Sequence, residues 1–336
     1  MTRLTSLWSE QLGRLTREHA LVGASLFRLL CGVGLLYQLL INYHQRYYLF
    51  GPDGVWPFDA FIGKLQTAGG FSVYALSQNP ALFEVIYHLG IAFTLLWTLG
   101  WRTRLTTVLV YVHVWSLHER NPSLWDGGDN ALQLLLFYAI FANLGAHFTL
   151  FGPAKPEPTQ PGGLRSVVAD ARAVAHNIAI LAIAIQLCLI YGTAGLYKVQ
   201  GEIWQSGVAM YYILRVQEFT LPGVSEQIYL NAPLVVAMSY LTVAFQVGYT
   251  FMVALNRYAR LLAVVMGIGF HLGIAYLMGL ITFSTFMIAA ELVLISDREY
   301  AALRHCASKM IAQATRGTSG LLRVTRRLLR TIPALQ

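Results

Sequence analysis

The residue with the most chemical potential in this chain is a lysine, Lys198, in the stretch YGTAGLYKVQGEIWQSG from Tyr191 to Gly207. It follows an uncharged run from Ala173 to Tyr197. Two roles are open to it. A lysine at the end of an apolar helix extends its ammonium along the helix to water. Turned into a dry pocket, the same side chain favours its neutral amine and can accept a proton. Gly192, Ala194 and Gly195 are small enough for a partner helix or a ligand to approach closely. Trp204 suits an interfacial belt or a pocket wall.

Other groups gather in LHERNPSLWDGGDNALQLL, which holds Asp126, Asp129 and Asn130 at the start of an apolar run. The plain reading is an Asn-Pro and Asp-Gly-Gly turn followed by a helix N-cap, with Asp129 or Asn130 accepting from helix N–H groups. His118, Glu119 and Arg120 crowd the same stretch, so a polar site wall is also open. His118 with these carboxylates matches no metal-site spacing, and no metal is expected. His271 lies inside the apolar GIGFHLGIAYLMG, where a histidine faces the bundle interior, for structure or for function. Arg28, in SLFRLLCG, either snorkels or pairs with a carboxylate such as Glu291. His88 and His113 read as core or interface residues. P-loop, dinucleotide, HExxH, GxSxG and haem-attachment motifs do not occur, so no soluble cofactor is indicated.

The elements that must position these residues are apolar helices. The 336 residues are 56% hydrophobic and 12% charged, with mean hydropathy +0.53, against about 25% charged residues in a soluble domain. Uncharged runs cover Asn130–Ala154, Ala173–Tyr197, Gln227–Asn256 and Leu261–Ala290, each long enough to cross a bilayer. The expected fold is all-α, a polytopic membrane helical bundle. Eight spans are expected, near 21–41, 81–99, 103–117, 130–150, 173–194, 232–254, 259–278 and 280–296, with Gly279 breaking the last two apart.

Charge sets the expected orientation. Arg102 and Arg104 fill one connection, Lys155, Arg165 and Arg172 another, Arg257 and Arg260 a third, and both terminal segments are basic. All five fall on one side of an eight-span bundle, which places both termini in the cytoplasm and the chain in the cell's inner membrane. The opposite side receives 43–61, 118–130 and 195–231, so a site is expected to face outward. The halves show neither a repeat nor an inverted symmetry, which speaks against a transporter.

Three regions are expected: an amphipathic cytoplasmic lead-in over 1–19, without the cleavage site of a signal peptide, the membrane domain over 20–296, and a basic tail over 297–336. Of the net charge of +8, +6 falls after Ser296, where eight basic residues are set against Asp297 and Glu299 alone. Such a tail binds anionic lipid on the cytoplasmic face; nucleic acid is not an expected partner. Cys31, Cys188 and Cys306 are too scattered for a metal or redox pair.

In order and spacing these motifs resemble the HTTM family, the transmembrane domain shared with vitamin K-dependent γ-glutamyl carboxylase. SLFRLLCGVGLL resembles its opening Phe-Arg span, FGPDGVWPF the turn after it, GLYKVQGEIWQSG its lysine segment and FHLGIAYLMGLITF its late histidine-bearing pair. The resemblance covers roughly 20 to 296. It implies that Lys198 is the base that deprotonates a reduced quinone of the vitamin K type. Gly195, Trp204, His118, Asp126, Asp129, Asn130 and His271 would bind substrate around it. In the carboxylase that chemistry ends in carboxylation of glutamate. This chain carries Gly128 and Asp129 where the carboxylase has a histidine, and only a basic tail after Ser296. In size it resembles short bacterial SdpB-like members, which implies the alternative of a non-enzymatic factor for maturation of, or immunity to, a secreted peptide toxin. The expected partners are membrane lipids and a secreted peptide or small membrane protein.

Overall fold

The structure is a computed structural model and describes residues 15–152 and 163–310. It is all-helical among those residues. Eight principal helices stand at the places of the expected spans: α1 (Leu21–Ile41), α2 (Pro80–Thr98), α3 (Thr103–Arg120), α4 (Gly127–Ala139), α5 (Leu164–Gln200), α6 (Ala232–Leu255), α7 (Arg257–Met278) and α8 (Ile281–Leu292). Five of them, α1, α2, α5, α6 and α7, are long and apolar enough to cross a membrane. The chain is thus a helical membrane bundle.

The remaining three differ from the expected full spans. At 13 and 12 residues, α4 and α8 reach only about 20 Å and about 18 Å, against a hydrocarbon core of about 30 Å. The 18 residues of α3 include His113, His118, Glu119 and Arg120, too polar for a lipid-facing span. α8 is largely buried in the bundle, whereas α3 and α4 each keep one exposed apolar face, with Leu105 and Val108 on α3 and Leu134 and Phe137 on α4. α8 lies against α1, α4 and α7, while α2 packs on α1 and α3, and α6 on α5 and α7. Gly279 takes a left-handed φ of 70° and breaks α7 from α8, as its position between two apolar runs predicts.

Small residues bring α1 and α8 together. A Cβ at Gly23 would lie 2.5 Å from the Leu292 carbonyl, and one at Gly34 would lie 2.6 Å from the Phe286 ring. Contact this close replaces the hydrophobic drive that lipid does not provide.

Arg28 does not pair with Glu291. Its guanidinium is fully buried and faces five backbone carbonyls. Nε donates to Leu144 at 3.0 Å, one terminal nitrogen to Trp97 at 2.7 Å and to Thr98, and the other to Phe148 at 2.7 Å and His147 at 3.3 Å. A guanidinium has five N–H donors, so each has an acceptor here. The two carbonyls on α2 belong to its last turn, where the helix dipole favours a cation. The other three lie on the non-helical stretch after α4, where backbone groups within a membrane bundle need an internal partner. That geometry explains why the expected 130–150 span stops at Ala139.

Two hydrophobic clusters pack the connections, the first of them largely aromatic. Phe50, Phe61, Leu65, Tyr74, Phe83 and Tyr87 pack the segment between α1 and α2, and Met210, Leu214 and Val235 pack the segment after α5. Close to the start of the described chain, Asn177 on α5 donates to the carbonyls of Leu15 and Arg17 at 2.8 Å each. The lead-in before residue 15, the Pro/Gly-rich linker over 153–162 and the tail beyond 310 lie outside the described residues. From Ser296 the chain forms a second unit. It is helical over 297–310 and opens on a capping box in which Ser296 N and Oγ each lie 2.8 Å from Glu299 Oε2.

Arg28→Met leaves five carbonyls without their donor. Stability should fall by about 3–5 kcal/mol, the scale for breaking a buried charged network, read as loss of monodisperse protein on mild heating in detergent. Arg28→Lys should recover little, because an ammonium has neither the fork nor the donor count.

Candidate functional site

α5 ends in the stretch that carries Lys198, and Gly201 then turns the chain, its N–H bonding the Lys198 carbonyl at 3.0 Å. The short helix Glu202–Gln205 brings Trp204 back under the lysine. Lys198 Nζ lies 5.2 Å from the centroid of the Trp204 ring and 3.5 Å from the Ala194 carbonyl. The fold-back is pinned to α6 by Tyr240, which donates to Gln205 O at 2.8 Å, and by Ser239, which accepts from Met210 N at 3.2 Å. Lys198 is half-buried and stands on the wall of a cavity of about 460 Å³ between α5, α6, α7 and α8.

That cavity is apolar. Met210, Met238, Met278 and Met287 line it with Phe270 and Phe283, and Lys198 is the only lysine or arginine among its lining residues. His271 and Trp204 share its wall, so the structure brings these two together with Lys198. Gly195 has a different place. A Cβ there would lie 2.8 Å from Val247 N, so Gly195 lets α5 and α6 touch and does not line the cavity.

Behind the cavity wall is a hydrogen-bonded chain that the sequence reading did not assemble. His271 Nε2 lies 2.8 Å from the Tyr191 hydroxyl oxygen, and Tyr191 is hydrogen-bonded to Glu291 Oε1. Glu291 is fully buried, and its Oε2 has no partner. Gly267, one turn before His271 on α7, leaves the room that the carboxylate fills; any Cβ there would overlap it. The Tyr249 ring packs on Tyr191, tilted by 32°, with centroids 4.0 Å apart. A signal for this cluster is present in the sequence. An acid at the end of a long uncharged run and a histidine inside that run are both costly in hydrocarbon unless they meet a partner.

The remaining predicted residues sit elsewhere. His118 and Asp129 line a second cavity, of about 240 Å³, which shares no lining residue with the first. Asp129 Oδ1 accepts from Gln38 Nε2 at 2.9 Å and lies 3.8 Å from His118 Nε2. The His118 ring stands 4.6 Å from Trp125, whose indole donates to the His118 carbonyl at 2.8 Å. The N-cap of α4 is Asp126 and not the expected Asp129 or Asn130, because the helix already begins at Gly127. Asp126 accepts from Gly128 N at 2.6 Å and Asp129 N at 2.9 Å, and the Asp129 side chain completes the box. Asn130 is exposed on the first turn of that helix. Glu119 binds Lys64 at 3.1 Å. Arg120 donates to Trp56 O at 2.7 Å and to Gly51 O, clamping the turn in FGPDGVWPF. No cluster of three or more His, Cys, Asp or Glu suited to a metal occurs among the described residues.

Fold and site together define a helical membrane protein with an apolar cavity, a lysine on its wall and a buried acid chain behind it. Among known proteins, the chain is similar to sporulation-delaying protein SdpB of Bacillus subtilis (strain 168), with 26% identity over 274 residues, 80% of this chain and 79% of that protein. It is also similar to uncharacterized protein YitO of the same organism, with 25% identity over 269 residues, 78% of this chain and 81% of that one. No protein-family model and no solved structure matches it.

The cap assignment is checked by substitution. Asp126→Ala should cost about 1 kcal/mol and Asp126→Asn much less, since asparagine keeps the accepting oxygen. Thermal melts of the two variants in one detergent should separate them.

Proposed function

We propose that the protein is an SdpB-like membrane factor that receives an apolar, acid-bearing segment of a secreted peptide in the cavity at Lys198. Its chemistry favours a flexible apolar guest. Methionine side chains are polarizable and adapt to varied shapes, and about 460 Å³ lies within the ordinary range of about 300–1,000 Å³ for a binding pocket. The observation that carries the reading is that Lys198 and Gln246 both line this cavity: an ammonium for a carboxylate, and a buried Oε1 without a partner for a peptide N–H. The similarity to SdpB over four-fifths of both chains supports a shared role, and sporulation delay is what that relative is named for.

In this reading the cavity faces outward from the cell's inner membrane and both termini are cytoplasmic. The positions of Arg102, Arg104, Arg257 and Arg260 in the helix connections support that orientation. The basic tail would then lie against anionic lipid.

A second reading keeps the same cavity and follows the HTTM resemblance. Here Lys198 takes a proton from a reduced quinone of the vitamin K type. It is supported by Lys198 and His271 standing on one wall with Trp204, Phe270 and Phe283, which suit an aromatic ring. The quinone when bound would supply the redox chemistry; the lysine and the rings would orient it and hold its proton.

The test is a titration of the purified protein in nanodiscs with a fluorescent apolar peptide, one span long, ending in a free carboxylate or in an amide. The acid form should bind about tenfold tighter, equivalent to about 1.4 kcal/mol. Lys198→Met should erase that preference. Equal binding of the two forms to wild type would sink the peptide reading, and displacement of the peptide by menadiol would favour the quinol.

A further inference from the structure

The chain behind the cavity has a property beyond holding helices together. Glu291 is fully buried, and no lysine or arginine pairs with it among the described residues. Among the described residues its hydrogen-bond partner is the Tyr191 hydroxyl, whose oxygen also meets His271 Nε2 at 2.8 Å. His271 Nδ1 is buried and has no partner. Tyr191 and His271 line the large cavity, and Glu291 does not.

A phenol carries one proton, so Tyr191 cannot donate in both directions at once. Two arrangements follow. With Glu291 protonated, its O–H donates to the Tyr191 oxygen, Tyr191 donates to Nε2, and His271 carries its proton on Nδ1. With Glu291 ionised, Tyr191 donates to the carboxylate, Nε2–H donates to the Tyr191 oxygen, and Nδ1 is a bare acceptor. The histidine is neutral in both. Its tautomer therefore reports the state of a carboxyl two hydrogen bonds away.

We infer that Glu291, Tyr191 and His271 form a one-proton relay ending on the cavity wall at His271, so that the cavity's ligand carries an acidic O–H group that exchanges a proton there. This rests on the cavity being the ligand site and specifies which chemistry that ligand brings. Nδ1 is closed off from the cavity in this structure, so the step requires the ligand to part the wall at His271; the Nδ1–H bond then breaks and a ligand O–H bond forms. The Tyr191 proton moves to Nε2 and the Glu291 proton moves to the Tyr191 oxygen. The products are a protonated ligand oxygen and an ionised Glu291, with Tyr191 and His271 neutral as before. The reverse sequence loads the relay from an acidic ligand. A carboxylic acid and a phenol both qualify.

The surroundings hold the three groups in line. Tyr249 packs on Tyr191, and the rings of Phe270 and Phe283 stand 5.3 Å and 5.2 Å from His271. Gly267 admits the carboxylate against α7. The elements packed on α8 bring few competing groups. α1 carries Arg28 and Cys31, and Arg28 is committed to its five carbonyls. α4 carries Asp129, which accepts from Gln38, and Tyr138, which donates to Gln186. α5 carries Cys188 and Lys198 besides Tyr191, α6 brings Tyr249 against that tyrosine, and α7 brings His271 and, two turns before Gly267 on the same face, Arg260.

The test needs no ligand. Full-length protein labelled with ¹⁵N-histidine is titrated with pH in nanodiscs, with His271 assigned by the signals lost in His271→Gln. The expected result is a change from the Nδ1–H tautomer at low pH to the Nε2–H tautomer at high pH, with no charging of the ring across it. Glu291→Gln should abolish that change while keeping a group of the same shape, and Tyr191→Phe should abolish it by cutting the chain. A single tautomer at every pH in wild type overturns the relay, as does a change that survives in a folded Glu291→Gln protein. A relay that fails this test leaves the peptide titration standing, and a failed peptide titration leaves the tautomer result standing.

Discussion

The bundle depends on one buried guanidinium. Arg28 places five N–H donors against carbonyls from the last turn of α2 and from the stretch after α4. An unpaired charge at this depth is expensive, and so are unpaired carbonyls. Each solves the other's problem without a carboxylate. Because the arrangement satisfies the chain at 144–148, α4 can end at Ala139 and run only part of the way across. α8 is short as well, and the small residues of α1 let it pack closely.

Freeing Glu291 from Arg28 has a consequence for the site. An ion pair between them would have made the acid a structural tie. The carboxyl instead meets Tyr191, and through it His271, on the side of the bundle that holds the apolar cavity. Arg120 repeats the device of Arg28 at a smaller scale, using the carbonyls of Trp56 and Gly51 to fix the turn before α2. Both arginines are anchors, and neither faces the cavity of Lys198.

The predicted site residues divide into two groups for a topological reason. His118 and Asp129 stand where α3 hands over to α4, beside Gln38 of α1, and line the smaller, more polar space. Lys198, Trp204 and His271 stand where α5 and its fold-back meet α7. Gly128 and Phe283 mark the contact between the two regions, since a Cβ at Gly128 would lie 2.7 Å from Phe283 Cα. Phe283 then packs its ring on His271. Chemically, one space offers several amides, a carboxylate and two imidazoles, and the other offers methionines and aromatics with one ammonium, one imidazole and one amide.

The sequence by itself determined the class of the molecule, because long uncharged runs are stable as helices in hydrocarbon and nowhere else. It also determined the break at Gly279 and the place of Lys198 at a helix end, since each is a local property of a few neighbouring residues, whereas the cap expected at Asp129 or Asn130 falls at Asp126. What only the tertiary structure decided was partnership. Hydropathy along 130–150 cannot show that Arg28, more than a hundred positions earlier, takes up the carbonyls that let the helix stop. Charge complementarity points Arg28 toward Glu291, yet carbonyls from two other elements satisfy its full donor set. The chain from Glu291 through Tyr191 to His271 joins three helices. No periodicity within one helix encodes which side chains meet across three, because that depends on how closely the glycines let the helices approach.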